Sequence, residues 1–270
     1  MDAYRKMGVA AALMAVLAVA GAFAAVVYES GADHPLSTVR SYSMQHGKES
    51  QLGVIDVGDL IVVKAPDRKG VVTYVEGLVS GYRSMGSYGD VILFDSSGTN
   101  IIHRAILYLE YNGDGTWSAP ALRDYPESKW FCGSGAPWDA LKGTLVLKDM
   151  RYTGELAVEI NLDDLAAKYP HSGYLTMGDY NTALDQRANV SDGLVKAEDI
   201  KGVAWMEIPW AGSIKLLMSG NNTMLNGYAP NSIPCLAASI AAILLLALGF
   251  NVAFDHFAVR RRRDALERDR

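Results

Sequence analysis

Cysteine is scarce in this sequence: Cys132 and Cys235 are the only two in 270 residues. Neither stands in a metal-type spacing, so the sequence implies no zinc or other metal site and no cofactor. A disulfide between them would tie a Gly-rich loop to the start of an apolar run at a membrane boundary, and none is expected. Positive charge is also short, with a formal net charge of −5. The first six residues sum to +1 and residues 260–270 sum to +3, which leaves −9 for everything between. A middle this acidic excludes a nucleic-acid-binding core. Phe is sparse, 6 against 14 Tyr, and with 26 Gly this favours a strand- and turn-rich domain over a helix bundle. There is no internal repeat and no low-complexity segment.

What the chain does have is two long apolar runs. Met7–Tyr28 carries no charge over 22 residues, and at ~1.5 Å per residue it matches the ~30 Å hydrocarbon core of a bilayer. A cleavable signal peptide has an apolar region of only ~7–15 residues, so the length favours an uncleaved anchor. Ile233–Phe254 is the second run, with Pro234 suited to a first helical turn. Arg5 and Lys6 precede the first run, and Arg260-Arg261-Arg262-Arg263 follow the second. The positive-inside rule then puts both termini in the cytoplasm. This divides the chain into an N-terminal tip and anchor (1–29), an extracytoplasmic domain (30–232), a second transmembrane helix (233–255) and a basic cytoplasmic tail (256–270). Two sequons, at Asn189 and Asn221, fall in the extracytoplasmic part and add little weight.

Within 30–232 the pattern predicts strands at Asp59–Lys64, Val71–Leu78, Asp90–Phe94, Ile101–Glu110, Thr144–Lys148, Glu155–Ile160 and Lys201–Met206. Ser96-Ser97-Gly98-Thr99-Asn100 reads as a hairpin turn. Asn161–Tyr169 is the one clear short helix, with Asn161 as N-cap. Val79–Tyr88 and Asn112–Leu141 read as long loops.

Three places have chemical interest. Ser41-Tyr42-Ser43-Met44 sets two hydroxyls two residues apart, where an extended chain would turn them to one face, with Met44 reading as exposed behind them. His103 stands with Arg104 inside the apolar strand Ile101–Ile106, and such groups need partners if buried. Gly178-Asp179, followed by Asp185, could present a carboxylate to a neighbouring imidazole or simply form a solvated turn. His34 and His171 have no distinctive context, and His256 falls at the cytoplasmic membrane edge.

In order along the chain, these segments resemble four blocks of the type I signal peptidases, in their archaeal and endoplasmic-reticulum branch. Ser41-Tyr42-Ser43-Met44 is similar to the family's S-x-S-M box, and Val57-Gly58-Asp59-Leu60-Ile61-Val62-Val63 to its G-D strand. Gly89–Phe94 with Ile101–Ile106 resembles G-D-V-I-x-F…I-I-H-R-V, and Leu175–Asn181 with Asp185 resembles T-K-G-D-N-N…D. Together the blocks span residues 41–185. The resemblance implies a mainly β fold, a signal-peptidase-like domain held between two transmembrane helices. It makes Ser43 the nucleophile, His103 the general base, Asp185 the carboxylate that orients the imidazole, and Asp179 a supporting acid; the two acids could exchange roles. The Ser43 N–H and the Ser41 hydroxyl would meet the oxyanion. The bacterial branch uses Lys where this chain has His103, and the only Lys near these blocks, Lys64, reads as a solvated strand end.

The implied activity is a membrane-bound serine endopeptidase that removes signal peptides from exported preproteins. Its partners would be those preproteins, the lipid bilayer and the protein translocation channel. The location would be the cell membrane or an endoplasmic-reticulum-like membrane. The substrate would lie along an exposed strand edge, with the Leu60–Val63 and Val91–Phe94 strands walling its pockets. Two other functions compete: a non-catalytic surface or assembly protein with a decayed peptidase domain, and a peptidase specialised for one surface-protein precursor. The chain departs from the family at Tyr42 (usually Gly), His46 (usually Pro), Met177 (usually Lys) and Tyr180 (usually Asn). His46 is either a loop bystander, which is favoured, or a group that tunes Ser43.

Overall fold

The structure is a computed structural model that describes residues 2–133 and 135–268. It begins with α1 (Asp2–Ser30, 29 residues) and ends with α6 (Ser232–Arg268, 37 residues). Both are long and apolar enough to cross a membrane, over Leu13–Ser30 and Ser232–Phe254. Their apolar side chains, among them Leu17, Phe23, Leu244 and Leu246, stand exposed. Helices that are apolar all round need either a protein core or lipid against them. Pro234 sits in the first turn of α6, where its missing N–H costs no helical bond. The helix then runs unbroken through the four arginines, so the expected separate tail from residue 256 continues the same helix to Arg268.

α1 is tied directly to the sheet. Buried Ser30 donates from Oγ to Val63 O at 2.6 Å and accepts from Ala65 N at 2.8 Å. Arg68 adds a hydrogen bond to Tyr28 O. After α1 come β1 (Leu36–Thr38), β2 (Leu60–Lys64), α2 (Tyr74–Ser80), β3 (Arg83–Ser84), β4 (Ser87–Tyr88), β5 (Val91–Ser96) and β6 (Thr99–Tyr111). β7 (Trp117–Ser118), β8 (Trp130–Cys132), β9 (Thr144–Met150), β10 (Leu156–Asn161), α3 (Leu162–Lys168) and β11 (Gly173–Met177) follow. β12 (Ile200–Ile208), α4 (Ser213–Met218) and α5 (Asn222–Tyr228) lead into α6.

The main sheet runs β1-β2-β12-β5-β6-β11, with β7 added on β6, and its ladders are antiparallel. A second sheet is β10-β9-β8. Between the two long helices the architecture is therefore sheet-rich, and six of the seven expected strands exist. β5 and β6 form the expected hairpin. Its loop residues Ser97 and Gly98 both have positive φ, 50° and 79°, as a two-residue turn matched to strand twist requires. Asn161 caps α3 as expected, its side-chain oxygen accepting from Asp163 N and Asp164 N.

The expected strand Val71–Leu78 is instead helical from Tyr74 onward. Thr73 and Glu76 form a capping box that starts α2, and Gly81 ends it in the left-handed region at φ 80°. The cap outweighs the β-branched valines around it. The expected loop Val79–Tyr88 holds the end of α2 and the β3–β4 ribbon. Asn112–Leu141 carries β7 and β8, and it contributes Trp117 to the core with its indole N–H on Leu162 O. The segment α4–α5 was not anticipated. Cys132 and Cys235 are both free thiols.

Met44 was expected on the surface but is 2% exposed. It packs with Val39, Ile55, Ile61, Val63, Val91 and Leu93, so it pins the Ser43 turn to the sheet.

Candidate active site

His103 lies on β6, opposite Ile92 of β5, and the residue is buried. Ser43 lies in the turn between β1 and β2, closed by Gln45 N donating to Tyr42 O. Asp185 lies beyond β11, and its N–H returns to Thr176 O at 2.9 Å. These three segments converge. His103 Nε2 is 2.9 Å from Ser43 Oγ, and His103 Nδ1 is 2.7 Å from Asp185 Oδ2. Asp185 is fully buried. An ionised carboxylate only accepts, so Nδ1 carries the proton and Nε2 is left to accept the Ser43 hydroxyl. That is the hydrogen-bond order of an activated serine.

Gly178 makes this closeness possible. A Cβ there would lie 2.5 Å from Ser43 O and 3.0 Å from His103 Nε2. With no side chain, the turn after β11 fits under Ser43, and Tyr180 N donates to Ser43 O at 2.8 Å. On the other side, Gly58 holds φ 95°, and a Cβ would meet Ser213 Oγ at 2.3 Å.

Asp179 does not touch His103. Both its oxygens are taken by Arg104, with Nε on Oδ1 at 2.7 Å and Nη2 on Oδ2 at 2.6 Å. The two acids are therefore not interchangeable in this geometry. Arg104 is fully buried, and its remaining donors go to the carbonyls of Ser84, Met85, Tyr88 and Gly89. This answers why an arginine sits in an apolar strand. Burial works against charge on Asp179, but the Arg104 charge and hydrogen bonds, helped by His46, outweigh it and hold the carboxyl below the usual range.

His46 is not a free loop side chain. Its Nε2 donates to Asp179 Oδ2 at 2.8 Å, since that carboxylate can only accept. Its ring stacks on Tyr152 at 3.9 Å, and the Tyr152 hydroxyl donates to His46 O. The bystander expectation is corrected accordingly: His46 ties the Ser43 turn to Asp179. Sequence reasoning singled out Arg104 without giving it a role, and missed Tyr152 and Arg151, whose Nε donates to Asp179 O. The visible signal was the charge beside His103 in an apolar strand.

Ser41 Oγ lies 3.2 Å from Ser43 Oγ, so the two hydroxyls do share one space, although they sit in a turn and not a strand. Among the described residues no acceptor takes the Ser43 N–H. Lys64 is engaged elsewhere: its ammonium lies 4.0 Å over the Trp205 ring and 3.9 Å from Glu29. The expected pocket walls are corrected as well. Ile61, Val62, Val63, Val91, Ile92, Leu93 and Phe94 are core residues. β2 and β5 are also interior strands with both neighbours filled, so the ends of the main sheet are β1 and β11.

A second buried acidic group lies beneath the turn. Burial raises Asp56 to about 6 and Asp59 to about 8. Asp59 accepts from Asp56 N and Trp210 N, whereas among the described residues Asp56 Oδ1 and Gln45 Oε1 find no hydrogen-bond partner. Among the described residues no group of three or more His, Cys, Asp or Glu is arranged to hold a metal ion.

No protein-family model matches the chain, and no curated protein matches it significantly.

Proposed function

We propose that this chain is a membrane-bound serine endopeptidase of the signal peptidase type, cutting signal peptides from exported preproteins. The observation that carries this reading is the unbroken hydrogen-bond chain Ser43 Oγ–His103 Nε2 and His103 Nδ1–Asp185 Oδ2, at 2.9 and 2.7 Å. Ser43 Oγ attacks the scissile carbonyl as its proton passes to His103 Nε2. Asp185 stabilises the imidazolium, which then protonates the leaving amine. Water hydrolyses the acyl-Ser43 ester, with His103 taking and returning the proton. The Ser43 N–H and Ser41 hydroxyl donate to the oxyanion.

The membrane supplies the substrate in this reading. α1 and α6 are the two spans, with the sheet domain outside and both termini in the cytoplasm. Exposed apolar side chains, Trp205, Met206 and Ile208 on β12 and Ile214, Leu217 and Met218 on α4, support a domain resting on lipid. Trp205 is near the α1 end, since Lys64 contacts both its ring and Glu29.

The test is Ser43→Ala in membranes given a preprotein. Cleavage should fall by about 10³-fold or more. Processing at the wild-type rate would sink the catalytic reading and leave a non-catalytic surface protein.

A further inference from the structure

The segment that carries Ser43 also docks on the residues leading into α6. Tyr42 stacks on Tyr228 with centroids 4.1 Å apart and planes 10° from parallel, and it meets Tyr180 edge-on at 5.6 Å. Buried Gln45 donates from Nε2 to Tyr228 O. Ser50 and Asn231 exchange two hydrogen bonds, at 2.8 and 2.9 Å. Ser232, the first residue of α6, donates from Oγ to Val57 O. Val57 packs with Leu216, Leu225 and Ala229. The junction 228–232 is thus bonded to residues 42–57 at several independent points.

The turn itself is weakly held by its own backbone. It lies outside helix and strand, and its internal backbone bond is Gln45 N to Tyr42 O. Its direction is therefore set by contacts with other elements: Met44 in the core, Ser43 O on Tyr180 N, His46 on Asp179, and Tyr42 on Tyr228. Tyr42 sits between the two hydroxyls, so its seat, like that of Met44, is one residue from Ser43 along the chain.

We infer that Tyr228 is a positioning residue for Ser43, and that the α6 junction aims the nucleophile as well as anchoring the chain. This rests on the peptidase reading for its kinetic part only. Loss of the stack leaves Ser43 aligned with His103 for a smaller fraction of the time. The rate of acyl transfer falls while substrate binding is unaffected. An aromatic pair of this kind corresponds to roughly a two- to ten-fold effect.

The experiment uses the full chain in membranes with variants Tyr228→Ala, Tyr228→Leu, Tyr228→Phe, Tyr42→Ala and the Tyr42→Ala/Tyr228→Ala pair. Tyr228→Ala and Tyr228→Leu are expected to lower kcat by roughly two- to ten-fold at unchanged KM, and Tyr228→Phe, which keeps the ring, to restore it. The double variant should be no slower than either single one. Hydrogen exchange of the amides of residues 41–50 should speed up in Tyr228→Ala, whether or not the protein cuts a preprotein. Unchanged kcat and exchange in Tyr228→Ala and Tyr228→Leu overturn the inference, as do strictly additive Tyr42 and Tyr228 effects. An inactive wild type with faster exchange in Tyr228→Ala would overturn the peptidase reading and leave the clamp standing.

Discussion

Arg104 holds Asp179 by two parallel hydrogen bonds, one chain position after the histidine that meets Ser43. Adjacent residues of one strand thus serve two different carboxylates. Asp185 faces the imidazole and Asp179 faces a buried guanidinium. Removing one partner of a buried ion pair leaves the other uncompensated, at a cost of about 3–5 kcal/mol. Asp179→Ala should therefore lower the thermal midpoint sharply. Asp185→Asn should keep the fold and lower kcat by about 10³–10⁴-fold, because the amide no longer fixes the working tautomer. Unfolding curves and single-turnover cleavage on the same samples check the contrast. Equal thermal loss in both variants would contradict it.

Gly178→Ala is expected to damage the site without replacing any reacting group. The new methyl would press on Ser43 O, a backbone group, and on His103 Nε2. The Ser43–His103 bond must lengthen, and kcat should fall by about 10²-fold, as misplacements near 1 Å can cause. Steady-state cleavage with a thermal melt is the measurement, and a full rate would mean that the turn yields freely.

His46 and His103 should separate cleanly by substitution. His46→Ala removes a hydrogen bond to a charged carboxylate, worth about 1.5–3 kcal/mol, and should lower stability with at most a ten-fold rate loss. His103→Ala should abolish cleavage while stability changes less. The reverse pattern would make His46 the base.

Stability should decline as pH rises from 5 to 8. Asp56 is raised to about 6 and Asp59 to about 8, so the folded state binds protons that the unfolded chain releases near pH 4. The stability from each carboxyl is full below that ordinary value and is lost as pH passes about 6 and then about 8. Asp56→Asn, which removes the titrating carboxyl, should flatten the decline between pH 5 and 7. Denaturant melts across that range would show it, and an unaltered slope would count against a proton on Asp56.

Much of the sheet was legible because strand period, β-branched runs and turn residues agreed, as in the Ser96–Asn100 hairpin. α2 was misread because the valines outweighed a capping box that was already present as Thr73-x-x-Glu76. The residues of the Ser43–His103–Asp185 chain could be nominated from the family resemblance, which put Asp185 on the imidazole but left an exchange with Asp179 open. The split depends on where Arg104 points across the sheet, and no local pattern encodes that. Met44 and His46 were misjudged for the same reason. A turn reads as solvent-facing until the elements that cover it are known.

The attachment of α1 has a last consequence. Ser30, its final residue, is bonded to both Val63 and Ala65, so no swivel separates the helix from the sheet. A chain tethered by a loose linker would sample many heights above its anchor. In the proposed membrane-bound peptidase, Ser43 would be held at a single elevation, and a peptide emerging from the same membrane would be measured against a fixed ruler. The cut would then fall at a set distance from the bilayer, whatever the sequence passing through.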